Sequence, residues 1–165
     1  MEYLNSIKEI RALLEDADYI GVKTVVADIN LERFLAKIFS YRPALIRMLY
    51  RLRAPLVRLL GFKQDPLPDM EEWIPDEFPM LACGTVWFFT VQQVQKDQFW
   101  IAGCPRDRHL DADMAVVARP LKGNRLQYYL ITVVRYKHWT GPLYFNLIRL
   151  FNLYLVNRMA HCVAR

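Results

Sequence analysis

The residues with the clearest chemical potential are His109, Asp111 and Asp113, which occupy alternate positions of one predicted strand. Side chains two apart along a strand share a face, so an imidazole and two carboxylates point the same way. Such a set can bind a divalent metal or transfer protons. The three positions span about 13 Å at about 3.3 Å per residue, which is too far for one ion. We therefore predict no metal site. His109 with Asp111 is a candidate catalytic pair, or a local pair that orders the start of the strand.

A second imidazole, His138, lies in the junction that leads into the last predicted helix. The junction reads Lys-His-Trp-Thr-Gly-Pro and ends at Pro142. Loops at such junctions often carry function, which makes His138 a third catalytic candidate; a capping and turn role is the alternative. The sequence contains no phosphate loop, dinucleotide glycine fingerprint, nucleophile elbow or zinc motif. We therefore predict no cofactor, and whether the chain is an enzyme stays open.

Large aromatic and apolar side chains are concentrated in the second half of the chain, where they could line a cavity for an apolar or amphipathic small molecule. A filled core is the alternative, because apolar stripes usually pack against one another. The candidate ligand-binding residues are Trp87, Phe89, Trp100, Met114, Tyr128 and Tyr144.

The 165 residues, with 54% hydrophobic and 13% aromatic side chains, are enough to bury one core and exclude a disordered chain. The net charge of +5 is mild, but arginines cluster between Arg42 and Arg58 and acidic residues follow at 65–77. This asymmetry suggests, as one alternative, a peripheral module that docks on an anionic membrane surface or a protein; solvated faces are the simpler explanation. Few aromatics are interleaved with the arginines, so nucleic acid is not expected.

Three cysteines, an odd number without a paired motif, and an N-terminus without a secretory signal favour a cytoplasmic location. The apolar segment 143–160 is almost long enough to span a bilayer. It contains Arg149 and three asparagines, which would be costly in lipid, so we predict a buried C-terminal helix instead.

Hydrophobic periodicity divides the chain into elements. A helix is predicted from Glu2 to Leu14 and a strand from Tyr19 to Ile29. A second helix is predicted over 31–40, because Asp28 and Asn30 are residue types that start helices. A further helix is predicted over 44–60, with a kink or break near Arg53–Ala54 because Pro55 follows. The remaining predictions are a loop over 63–80, strands over 85–94, 98–103, 109–119 and 127–136, and a last helix from Thr140–Pro142.

This order predicts a single α+β domain over 1–165, in which an N-terminal helical segment (1–18) precedes a core (19–165). In the core, an antiparallel curved sheet wraps around the long C-terminal helix. Short connections favour antiparallel neighbours. One face of strand 109–119 is purely apolar and should meet the helix, but the last strand is apolar on both faces. The second face could be covered by the N-terminal helices, by the acidic loop, or by a partner subunit in a homodimer.

Two segments carry a family resemblance: Asp107–Asp111, and Thr132 to Tyr144, which includes the His-Trp-Thr-Gly-Pro run. Together with Leu52–Val57 and Leu60–Phe62, they resemble the bacterial domain of unknown function 2867 over most of the chain after about residue 20. The resemblance implies no activity. By analogy at fold level, its element order is that of helix-grip domains such as START-like and pathogenesis-related lipid binders.

The first functional hypothesis is therefore a small protein that binds a hydrophobic or amphipathic molecule between the sheet and the C-terminal helix. A cyclase- or dehydratase-like enzyme that uses His109 and Asp111, and a docking module that uses Arg42–Arg58, are the alternatives.

Overall fold

The computed structural model describes residues 2–40, 78–86, 89–104 and 110–163, which contain a six-stranded antiparallel sheet. The sheet is curved, as predicted for the α+β fold. Its order is β1-β6-β5-β4-β3-β2, so the first strand pairs with the last. The strands are β1 Tyr19–Ala27, β2 Thr85–Val86, β3 Phe89–Gln95, β4 Phe99–Gly103, β5 Leu110–Pro120 and β6 Leu126–Tyr136.

The predicted N-terminal helix is interrupted and forms two short helices. The Ser6 hydroxyl donates to the Tyr3 carbonyl oxygen at 2.7 Å, and Ile7 is extended with φ −93° and ψ 115°. A serine side chain that bonds to nearby backbone competes with the helical pattern, which explains the break. The helices of the described residues are α1 Glu2–Asn5, α2 Lys8–Leu14, α3 Leu31–Phe39 and α4 Thr140–Val163.

Two local signals position their elements, and the first of them, at Asn30, was predicted. Asn30 caps α3, because its side-chain oxygen accepts from the Arg33 backbone N–H at 2.9 Å. Gly123 and Asn124 have φ of +76° and +58° in the turn between β5 and β6. Both residue types tolerate positive φ, which a tight hairpin requires.

The inner face of the sheet, defined as the face that carries Ala102, Met114, Val116, Tyr128 and Leu130, holds the larger core. α3 packs on this face with Phe34, Leu35, Ile38 and Phe39, all of them fully buried. α4 lies against β1, β6 and α3. α3 and α4 therefore contact each other, and both pack on the inner face of the sheet.

The outer face, defined as the face that carries Ile101, Ala115, Val117, Ile131 and Val133, is covered by α1 and α2. Leu4, Ile7 and Ile10 of these helices are buried against it. The Tyr3 hydroxyl also donates to the Ala118 carbonyl oxygen at 3.1 Å. The N-terminal helices thus supply the cover predicted for the second sheet face, and the homodimer stays a prediction.

None of the helices in the described part of the chain combines the length and the apolarity that a bilayer span requires. Leu143, Leu153 and Tyr154 of α4 are 60%, 44% and 48% exposed. That the sheet grips this helix along its length stays a prediction, as do the single domain and the cytoplasmic location. The predicted helix over 44–60 and most of the loop over 63–80 lie outside the described residues.

Candidate functional site

A cleft of about 70 Å³ opens between α4 and the strand pair β1–β6. Its floor is formed by alternate residues of β1 and by Leu130 and Thr132 of β6, since these positions point to the inner face. The residues that line it are Tyr19, Gly21, Val22, Lys23, Leu130, Thr132, Phe145, Arg149, Leu153, Val156 and Asn157.

Aromatic packing fixes the end of the cleft where α4 begins. The ring centroids of Tyr19 and Phe145 are 4.7 Å apart, and Tyr136 packs on Phe145 at 6.1 Å. A Cβ at Gly21 would lie 3.0 Å from the Tyr19 hydroxyl oxygen and 3.1 Å from its Cε1. Glycine at position 21 therefore leaves room for the Tyr19 ring to fold over the strand beside the cleft.

Four of the six predicted ligand-binding residues meet in the core of the inner face. Trp100, Met114 and Tyr128 are buried there, and Phe89 packs against them at its edge. Trp87 and the side chain of Tyr144, which is a residue of α4, lie outside the described part of the structure. The structure thus brings most of the predicted set to one face, and their contact with a ligand stays a prediction.

Trp100 carries a polar atom without a partner in this core. The side chain is fully buried, and its Nε1 has no hydrogen-bond acceptor among the described residues. The neighbouring rings are Phe39 at 5.4 Å and Phe78 at 6.0 Å, and neither supplies an acceptor. Leaving a buried donor unsatisfied costs about 1–3 kcal/mol, so an acceptor brought from outside would be favourable.

Tyr128, by contrast, is fully satisfied. Its ring stacks on Phe34 with centroids 3.7 Å apart, and its hydroxyl donates to the Ile29 carbonyl oxygen at 2.5 Å. This bond ties β6 to the segment that leads into α3. Burial, with a smaller contribution from the negative charge of Asp97, raises the pKa of Tyr128 well above its ordinary value of 10.0.

We expect Tyr128 to make the protein sensitive to alkali. Above pH 10 the unfolded chain loses the phenol proton while the folded chain retains it, so deprotonation favours unfolding. The contribution of the Tyr128 phenol to the free energy of unfolding is complete below pH 10 and falls by about 1.4 kcal/mol per pH unit above pH 10. Urea unfolding between pH 8 and pH 11 should show a shallower alkaline decline for Tyr128→Phe than for the wild type. Equal slopes would contradict this assignment.

Asp111, the candidate catalytic carboxylate, and Asp113 occupy the outer face of β5, opposite the cleft. Asp111 Oδ1 lies 2.6 Å from Lys137 Nζ. Asp113 Oδ2 accepts from Arg135 Nη1 at 2.7 Å, and its Oδ1 accepts from Gln92 Nε2 at 3.1 Å. His109 lies outside the described residues, so the His109–Asp111 pair stays a prediction. Among the described residues, no three His, Cys, Asp or Glu side chains are grouped as metal ligands.

His138 is exposed at the start of α4 and interacts with the helix itself. Its Nδ1 lies 3.0 Å from Thr140 Oγ1 and 3.4 Å from the Thr140 backbone nitrogen. The His138 carbonyl oxygen accepts from the Gly141 N–H at 2.8 Å. These bonds satisfy groups at a helix terminus, as a turn and capping role requires. The catalytic role of His138 stays a prediction.

Sequence reasoning missed the two cationic residues of the cleft, Lys23 and Arg149. Lys23 is the only charged residue of β1, and it shares the inner face with Val25 and Ala27. A lone lysine at an inward-facing position of an apolar strand is the signal that could have identified it. Arg149 was recognised only as an argument against a bilayer span.

Comparison with known proteins gives one match to a family and several distant structural likenesses. None of the curated proteins compared with the chain matches it. A START superfamily protein from Mycobacterium smegmatis is 14% identical, with 87% of this chain and 96% of that chain covered and a TM-score of 0.44. Norcoclaurine synthase from Thalictrum flavum, in complex with dopamine and hydroxybenzaldehyde, is 11% identical, with 86% and 83% covered and a TM-score of 0.43. Likeness at this level implies nothing about ligand or reaction.

The family model described as "Protein of unknown function (DUF2867)" matches residues 11–159. This span includes the whole sheet, α3 and nearly all of α4, and it confirms the family resemblance of the sequence. The chain therefore belongs to the DUF2867 family.

Proposed function

We propose that this protein binds a small hydrophobic or amphipathic molecule between its sheet and α4. The observation that carries the proposal is the cleft on the inner face, because apolar side chains from both β6 and α4 line it. Leu130, Phe145, Leu153 and Val156 supply this apolar lining. Concave sites with an apolar lining and a few polar groups are typical of small-molecule binding.

The core of the inner face adjoins the cleft. Leu130 lines the cleft and belongs to the core cluster, and Val156 lines the cleft and packs against that cluster. The proposal includes the predicted grip of the sheet on α4, since the helix forms one wall of the cleft.

The first test is the response of the neutral dye Nile red, whose emission rises and shifts to the blue in apolar sites. Wild-type protein should enhance the emission, and Val156→Arg should abolish the enhancement, because it places a charge in the lining of the cleft. Leu143→Arg is the matched control: it puts the same side chain on the same helix, at a residue that is 60% exposed and outside the lining.

Native mass spectrometry of the purified protein provides the second readout. A bound species that disappears on denaturation, and that an organic solvent extracts, would support the proposal. A folded wild-type protein that carries no adduct and does not enhance the dye would overturn it. Equal dye response in Val156→Arg and wild type would also overturn it.

A further inference from the structure

We infer that the cleft between α4 and the strand pair β1–β6 selects an anionic ligand: a free monocarboxylate with an apolar tail. This inference rests on the proposed function, which it deepens by naming the ligand class. The observation that carries it is the charge of the lining, which contains Lys23 and Arg149 and no acidic residue.

The two cations are not neutralised by the described part of the protein. Elsewhere in it, the two ion pairs join Arg135 to Asp113 and Lys137 to Asp111, both on the outer face. Neither Lys23 nor Arg149 forms an ion pair or a side-chain hydrogen bond with a described residue. A lysine and an arginine that share an apolar cleft, with no counter-charge from the described residues, leave a positive potential that a carboxylate would satisfy.

Neutral donors in the same lining complement the cations. The hydroxyls of Tyr19 and Thr132 and the side-chain amide of Asn157 all belong to it. A carboxylate presents two oxygens with about four acceptor positions, which matches a lining that offers several donors. Lys23 and Thr132 come from neighbouring strands, and Arg149 comes from the helix, so a head group would bridge the sheet and α4.

The size of the cleft limits what part of the ligand it encloses. A volume of about 70 Å³ takes a carboxylate and the first few carbons of a chain. The remainder would lie along the apolar rim, where Leu153 is 44% exposed. We therefore expect a single chain whose distal carbons lie outside the cleft.

A comparison of octanoate with octanol tests the effect of the head-group charge alone, because the two molecules have the same alkyl chain and differ in the head group. Calorimetric titration at low salt should give octanoate an affinity about tenfold higher than that of octanol, which corresponds to one charge-assisted hydrogen bond. Lys23→Gln and Arg149→Gln should each lower the affinity for octanoate several-fold and leave the affinity for octanol unchanged. A higher salt concentration should reduce the preference for octanoate over octanol, because Arg149 is exposed and salt screens exposed charges.

Lys122→Gln is the control, since it removes the same charge from the exposed β5–β6 turn and should leave both affinities unchanged. Equal binding of the two probes, with no effect of either cleft variant, would overturn the charge selection and leave the proposed function standing. If neither probe binds, the proposed function falls together with this inference. A loss of binding to anionic vesicles in the cleft variants, with octanoate affinity unchanged, would assign the cations to a membrane surface and also overturn the inference.

Discussion

Phe34→Ala is expected to destabilise the protein by about 3–5 kcal/mol, the range for removal of a buried phenylalanine. Phe34 is fully buried, and its ring stacks on Tyr128 with an angle of 15° between the planes. The substitution would remove apolar area, aromatic stacking and packing between α3 and β6 at once. Because α3 encloses the inner face beside α4, the loss would also loosen the wall of the binding region.

The measurement is the free energy of unfolding from urea titration, with Val26→Ala as the control. Val26 is 41% exposed on β1, so its truncation should cost well under 1 kcal/mol. The loss of stability in Phe34→Leu should lie between those of Phe34→Ala and Val26→Ala. This variant keeps the comparison informative if Phe34→Ala does not fold. Similar losses for Phe34→Leu and Val26→Ala would show that α3 does not pack on the sheet as described.

Arg135→Met should destabilise the protein by about 2–3 kcal/mol and release α2 from the outer face. The Arg135 guanidinium donates to Asp113 Oδ2 at 2.7 Å, to the Leu13 carbonyl oxygen, and to the Glu15 carbonyl oxygen at 3.5 Å. The last two oxygens lie at the carboxyl end of α2, where a cation is favourable. Hydrogen bonds that involve a charged group contribute about 1.5–3 kcal/mol, and methionine retains the apolar stem.

Lys137→Met is the matched comparison, because it also removes a cation that pairs with an aspartate of β5. The side chains of Lys137 and Asp111 are 37% and 31% exposed, so this pair should contribute about 0–1 kcal/mol. Hydrogen exchange provides the specific readout: the Glu15 amide, which donates to the Arg11 carbonyl oxygen at 3.1 Å, should lose protection only in Arg135→Met. Unchanged protection there would show that Arg135 does not hold α2.

The sheet could be predicted from the sequence because strand alternation and turn chemistry are local signals. The apolar face of β5, from Leu110 to Ala118, contributes to the inner core as expected, and the turn at Gly123 and Asn124 has the required positive φ. The pairing of β1 with β6 was beyond local patterns, because it joins residues more than 100 positions apart, such as Val25 and Tyr128. The break at Ser6 depends on one side-chain hydrogen bond that periodicity does not record.

The candidate site was only partly predictable. Trp100, Met114 and Tyr128 lie together in the core of the inner face, because large apolar side chains on one strand face must meet a common surface. They are not among the residues that line the cleft, so their role in ligand binding stays a prediction. The face occupied by Asp111 and Asp113 followed from alternation, but their partners Lys137 and Arg135 did not, since each pair depends on the register of β5 with β6. The cleft itself requires the position of α4 relative to β1, which no local pattern specifies.

Polar side chains also show how tertiary packing constrains single residues. A Cβ at Gly103 would lie 2.2 Å from Gln92 Nε2 and 2.7 Å from Asp113 Oδ1. Glycine at this position therefore lets the Gln92 side chain cross β4 to reach Asp113. Its spacing in the sequence gives no indication of this role.

The most direct test of ligand binding between the sheet and α4 is a methyl NMR titration of the protein with octanol. We expect saturable shifts in the methyl groups of Leu130, Leu153 and Val156, which line the cleft. The methyl groups of Val117 and Ile131, which pack under α1 and α2 on the outer face, should not move. Shifts confined to the outer face, or no shifts in a solution saturated with octanol, would contradict ligand binding between the sheet and α4.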